Sequence, residues 1–178
     1  MSDLCQLLKA EHRLIERVLA ALDTEAVRLE SGEPVNTIFF GVAVAFVREF
    51  ADGAHHQKEE SILFERMEQL GIPKESGPIG AMLAEHDEGR ELIRTVEGSV
   101  KAAAGGDAAA RQTLIEAARG FATLLRAHIE KEDGILYPMA DHLFNDTQKE
   151  SIRAAFRNAD AGNAAVIKKH TAWAESLG

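Results

Sequence analysis

Residues 128–137 read HIEKEDGILY and residues 55–64 read HHQKEESILF, so one pattern occurs twice in the chain. His55 aligns with His128, Lys58 with Lys131, Glu59 with Glu132, Ile62 with Ile135 and Leu63 with Leu136, each pair 73 positions apart. In both copies an imidazole and a carboxylate stand four residues apart, which on an α-helix puts them one turn apart on one face. His128 and Glu132 fall on the stripe Phe121, Leu125, Ile135 and Met139, while His55 and Glu59 lead into Ile62, Leu63 and Leu70. That is the period of a helix with one buried face. No segment shows the alternation or β-branched density of strands.

Working outward, Gly and Pro separate long stretches of the same period. The first runs from about Asp3 to Glu30, with Leu4, Leu8, Ile15, Leu19, Leu22 and Leu29 on its apolar face, and stops at Gly32 and Pro34. The second runs from about Val35 to Leu70 and the third from about Pro78 to Ala104, with Ile79, Met82, Gly89, Ile93, Val96 and Val100 on its face. The fourth opens on Asp107 as a cap and runs towards His142, with a weak point expected near Gly134 and Pro138. Thr147 and Glu150 have the spacing of a capping box, followed by a fifth helix to about Ala159 and a sixth over about 163–176. The expected fold is all-α: an antiparallel up-and-down four-helix bundle over 1–142, with a C-terminal helical extension over 143–178 packed on it.

With 178 residues the chain can bury a core without staples. Its net charge of −9 disfavours nucleic acid and anionic membranes as partners. A single cysteine, Cys5, closes no intrachain disulfide and gives no argument for an oxidising compartment. The apolar run IFFGVAVAFV (38–47) is about half as long as a membrane span. Its breadth, including the stripe Phe39, Val42, Phe46 and Phe50, leaves a homodimer contact as an expectation. A soluble, cytoplasmic protein is expected.

Glu11-His12 and Glu85-His86 form a second repeat, 74 positions apart. His12 lies on the face of Leu8, Ile15 and Leu19, and His86 on that of Met82, Gly89 and Ile93. Each bundle helix therefore turns at least one imidazole inward, and two also turn a carboxylate inward. A content of 7 histidines and 29 acidic residues predicts about one His-x-x-x-acid pair by chance. Two with matching flanks, joined by inward histidines on the remaining helices, point to a metal site. Mixed imidazole and carboxylate donors suit iron, and less selectively manganese or zinc.

Glu11-His12, residues 55–64, residues 71–92 and HIEKEDGILYPMA (128–140) together resemble the hemerythrin-like family, with its His…His-x-x-x-Glu…His…His-x-x-x-Glu cation-binding pattern. The resemblance implies two non-haem iron ions with a bridging oxo or hydroxo species, and dioxygen, nitric oxide or peroxide as the small ligand. It also implies Glu59 and Glu132 as bridging carboxylates, with His12, His55, His86 and His128 as terminal ligands. The third helix departs from the oxygen carriers: Met82 and Arg90 stand one turn either side of His86, where a second histidine is expected. His56, about 100° around the helix from His55, is the expected substitute. With His56 as a ligand, one open position would remain on the iron pair; without it, two. Glu60 and Asp133 occupy equivalent places, as do Glu11 and Glu85, and orienting or solvated roles are expected for all four.

Tyr137 aligns with Phe64 and is expected to pack in the core, and His142 and His170 to serve packing or surface roles. Three function classes follow: a di-iron protein binding dioxygen or nitric oxide for sensing, storage or delivery; a di-iron enzyme handling peroxide or donating iron; and an inert bundle. Without an expected inward tyrosine, the first is favoured.

Overall fold

The structure, a computed structural model, describes residues 3–177, and among these every regular element is helical. Helix α1 (Gln6–Glu30) closes at Gly32, whose φ of 89° lets the Glu33 N–H reach back to the Arg28 carbonyl. A second helical rod spans 37–68. It opens as α2 (Thr37–Phe46), capped by the Asn36 side chain, and ends as α3 (Phe64–Glu68). Helix α4 (Gly77–Ala104) follows, and Gly106 (φ 95°) turns the chain into α5 (Ala108–Lys131), capped by Asp107 as expected. The fourth rod continues without a break to the end of α6 (Tyr137–Leu143). Together these elements form a helical bundle.

The second and fourth rods are not plain α-helices. Residues Val47–His56, Glu59–Leu63 and Glu132–Leu136 are π-helical, with wider i→i+5 turns. The last two occupy equivalent places in the 73-residue repeat, so the internal duplication extends to a backbone irregularity. The expected weak point near Gly134 and Pro138 is thus a π turn within a continuous rod. It also changes the register: Ile135 is 61% exposed while Leu136 is 1% exposed, so Ile135 leaves the inward stripe assigned to it. Leu70, placed on the second helix's inward face, is 41% exposed for a simpler reason, lying beyond the rod's last turn.

The core divides in two. One apolar cluster gathers Ile15, Leu19, Phe46, Phe50, Ile93 and Phe121; the other gathers Leu8, Leu63, Phe64, Met82, Leu136 and Tyr137. Along every rod the chain passes from one cluster to the other through a polar stretch. His12 falls between Leu8 and Ile15, and His86 between Met82 and Ile93. On the other two rods His55 to Glu59 lie between Ala51 and Leu63, and Glu132 between Ile129 and Leu136. A polar layer is therefore sealed above and below by hydrocarbon.

Helices α7 (Asp146–Gly162) and α8 (Ala164–Ser176) pack on the bundle. The capping box that starts α7 is made by Asn145 and Gln148, two residues earlier than the expected Thr147 and Glu150. Both pairs have the right spacing, and Asn145 is the residue whose extended backbone (φ −76°, ψ 169°) suits a cap. Ile152 and Phe156 enter the second cluster, while Trp173 of α8 meets the rings of Phe39 and Phe46. The apolar excess of residues 38–47 is thus partly met by the chain's own C-terminal helix. No helix among the described residues is long and apolar enough to cross a membrane.

The π register makes a direct prediction for urea denaturation. Leu136→Ala should cost about 2–5 kcal/mol by emptying core volume, and Ile135→Gln should stay within about 0.5 kcal/mol. The opposite ranking would contradict this register.

Candidate metal centre

All seven expected site residues, His12, His55, His56, Glu59, His86, His128 and Glu132, are buried in the polar layer. They fall into two groups that could each hold an ion. One is His12, His55, Glu59 and Glu132; the other is His56, Glu59, His86 and His128. Glu59 belongs to both. Its Oε2 lies 3.7 Å from His55 Nε2 and 3.6 Å from His86 Nε2. Glu132 is placed the same way, its Oε2 3.2 Å from His12 Nε2 and 3.3 Å from His128 Nε2. Each carboxylate therefore touches one imidazole of either group. His56 stacks on His86, ring centroids 3.8 Å apart, which places it with the second group. It can lie there because the π-helical turn ending at His56 carries both His55 and His56 inward.

Every imidazole is held from behind by an acid at Nδ1. His12 bonds Asp133 at 2.8 Å, His55 bonds Glu11 at 2.8 Å, His86 bonds Glu60 at 2.7 Å, and His128 bonds Glu85 at 2.9 Å. Asp52 faces His56 Nδ1 at 3.4 Å. Glu11 and Glu85 thus orient imidazoles, though each serves a histidine on another rod rather than its sequence neighbour. Arg90, in the position of the missing third-helix histidine, joins Asp52 to Glu60 and so ties together the supports of His56 and His86.

These bonds assign N–H to Nδ1 and turn the Nε2 lone pairs inward. His12 and His55 then oppose lone pairs at 3.0 Å, and His86 and His128 at 3.1 Å. Such contacts need a proton or a cation between them. The carboxylates tell the same story: Glu59 Oε2 and both oxygens of Glu132 are buried without a hydrogen-bond partner. Burial, then repulsion from Glu132, pushes the Glu59 carboxyl well above its ordinary range. For Glu132 burial acts upward too, but His128 and His12 outweigh it and hold that carboxyl low. Burial and the charge of His12 push His55 well down, and burial and the charge of His86 do the same to His56. A cation would displace the few protons this cluster shares and satisfy the orphaned atoms together. The donors fit a metal pair.

Tyr137 packs in the core as expected, but the place of its hydroxyl at the centre was not expected. Its hydroxyl donates to Glu59 Oε1 at 2.5 Å and lies 3.3 Å from His12 Nε2, and its ring stacks near His12. Burial and the neighbouring carboxylates push its pKa well up, so the phenol stays protonated. The only sequence signal was a broken repeat, a hydroxyl-bearing ring where the first copy has Phe64. Cys5 is fully buried, its thiol pushed up by burial, and packs as an apolar residue. His170 is buried against Phe46, whereas His142 is exposed.

A cavity of about 200 Å³ reaches the second group only, past His56 and His86, between walls of Val47, Ile93, Phe121 and Leu125. Gly89 borders it: a Cβ there would meet Leu125 and Phe121 at 3.5 and 3.6 Å. The arginines at its rim are already paired, Arg48 with Glu97, Arg94 with Glu91, and Arg90 with Asp52, Glu60 and Asp87. The passage therefore favours small uncharged molecules.

A helical bundle with paired His and Glu groups buried at mid-height is the architecture of a cation-binding domain. Residues 3–140 match the Hemerythrin HHE cation binding domain, and the chain belongs to that family. It is also similar to uncharacterized proteins of Mycobacterium bovis and Mycobacterium tuberculosis. Each is 25% identical over 177 residues, covering 96% of this chain and 69% of the relative. No solved structure matches it.

The outer acids predict an acid-sensitive cluster. Burial raises the Glu60 carboxyl, but His86 and Arg90 outweigh it and lower the pKa from 4.5 to about 2. A carboxyl lowered on folding stabilises above its unfolded value and loses that contribution as pH falls through the folded one. Glu60→Gln should therefore flatten the decline in stability of the metal-free chain between pH 4.5 and 2. Parallel declines would refute the His86–Glu60–Arg90 arrangement.

Proposed function

We propose that the chain is a non-haem di-iron protein that binds dioxygen or nitric oxide for sensing, storage or delivery. The observation that carries this is the placement of Glu59 and Glu132, each against one imidazole from either group. In this reading His12 and His55 would hold one iron, His56, His86 and His128 the other, and Glu59 and Glu132 would be shared between them. Nitrogen and oxygen donors together suit iron, and the bound pair supplies open coordination and one-electron redox capacity.

The chain's own residues do the rest. The outer acids fix each imidazole with its lone pair inward, as supporting carboxylates do at metal-bound histidines. The two apolar clusters keep bulk water out. The cavity beside Gly89 admits a small neutral ligand to the His56 side, and five imidazoles leave little room for more than one. Tyr137 holds a proton at Glu59.

That phenol also supports a second reading, a di-iron enzyme that handles peroxide, because a buried hydroxyl beside a bridging carboxylate is a proton donor in position. Iron donation for repair stands as a variant of this second reading.

Metal analysis of the purified chain should give about two irons, and Glu132→Ala should lose both together; one iron kept at full occupancy would contradict bridging. Tyr137→Phe separates the readings. Reversible ligand uptake by the reduced protein should survive it if the chain is a carrier or sensor. Peroxide turnover that wild type shows and Tyr137→Phe abolishes would establish the enzyme instead.

A further inference from the structure

The carboxylate behind His55 is itself held from outside the matched family segment. Glu11 bonds His55 through Oε2 and receives Lys58 Nζ on Oε1. Lys58 is only 1% exposed, and its ammonium also bonds Asp160 Oδ1 at 2.5 Å. Asp160 belongs to α7, beyond residue 140, where the family match ends. A line of four side chains thus runs from the C-terminal helices to an imidazole of the centre.

The internal repeat supplies a control. Lys131, Glu85 and His128 reproduce Lys58, Glu11 and His55 in the other half, with the same connections. There the lysine side chain is 40% exposed, and among the described residues it bonds no second carboxylate. Water can solvate Lys131. Lys58 has no such access, and a buried ammonium beside a single carboxylate is an expensive arrangement.

We propose that Asp160 is a positioning residue for the His55 half of the centre. By sharing Lys58 it stops that ammonium from drawing the Glu11 carboxylate away from the His55 Nδ1–H. His55 thereby stays aimed inward. Linkage makes the effect reciprocal: an ion on the His55 side favours the docked position of α7, so the C-terminal helices report occupancy of that side alone. This rests on the metal-pair reading above.

The test compares the full-length wild type, Asp160→Asn and Asp160→Glu in two measurements. In the iron-free chains, nitrogen-15 NMR follows the imidazole N–H signals of His55 and His128. Asp160→Asn should shift the His55 signal and leave His128 in place, with Asp160→Glu restoring it. In iron-loaded chains, competition with a ferrous chelator should show Asp160→Asn giving up one of two irons about tenfold more readily, the size expected for a group supporting a ligand. An unmoved His55 signal, or both histidines shifting together with a lower melting temperature, would overturn the proposal. So would equal weakening of both irons. Wild type that takes up no iron would sink the metal-pair reading, while the iron-free spectra would still decide whether Asp160 positions His55.

Discussion

Two carboxylates, Glu59 and Glu132, lie wholly buried between hydrocarbon clusters, and three of their four oxygens have no hydrogen-bond partner. Leaving such groups charged and unsatisfied costs several kcal/mol each. The imidazoles relieve this only in part: His128 and His12 hold the Glu132 carboxyl low, while burial and Glu132 keep the Glu59 carboxyl well above its ordinary range. The rest of the structure follows from that conflict. A family defined by cation binding supplies the natural resolution, and the inward array of lone pairs is what a pair of cations would satisfy.

Duplication explains why the layer is so regular, and departures from duplication show where this chain has its own character. Equivalent π turns start at Glu59 and Glu132 and end at the buried Leu63 and Leu136. Against that symmetry, Arg90 stands one turn beyond His86 and braces two carboxylates, and His56 joins from the second rod. Tyr137 replaces the hydrocarbon of Phe64 with a hydroxyl on Glu59. Asp160 reaches Lys58 while Lys131 meets water. The two halves thus present different outer environments, and the His56 side meets a cavity lined by Val47, Ile93, Phe121 and Leu125.

Helix content and the inward histidines were legible because a 3.6-residue period and a 73-residue repeat are strong, redundant signals. The inward place of His56 was legible as well, because the family resemblance called for a second histidine near His86 and the next residue along His55's rod could reach. The π turns were not, since they leave no composition signature, and the wrong direction for Ile135 is their consequence. The Asn145 cap lost to Thr147 in the sequence because spacing alone does not fix which residue adopts the extended backbone. Tyr137 was read through its partner Phe64, so a departure from the repeat was taken for conformity with it. Asp160 carries no sequence mark at all; only the docking of α7 brings it to Lys58.

The most direct test is anomalous diffraction at the iron absorption edge from crystals of the iron-loaded chain. The account predicts two peaks inside the polar layer, both flanked by Glu59 and Glu132, one beside His12 and His55 and the other beside His56, His86 and His128. A single peak, or peaks bound only to surface acids while the two glutamates stay unliganded, would contradict it.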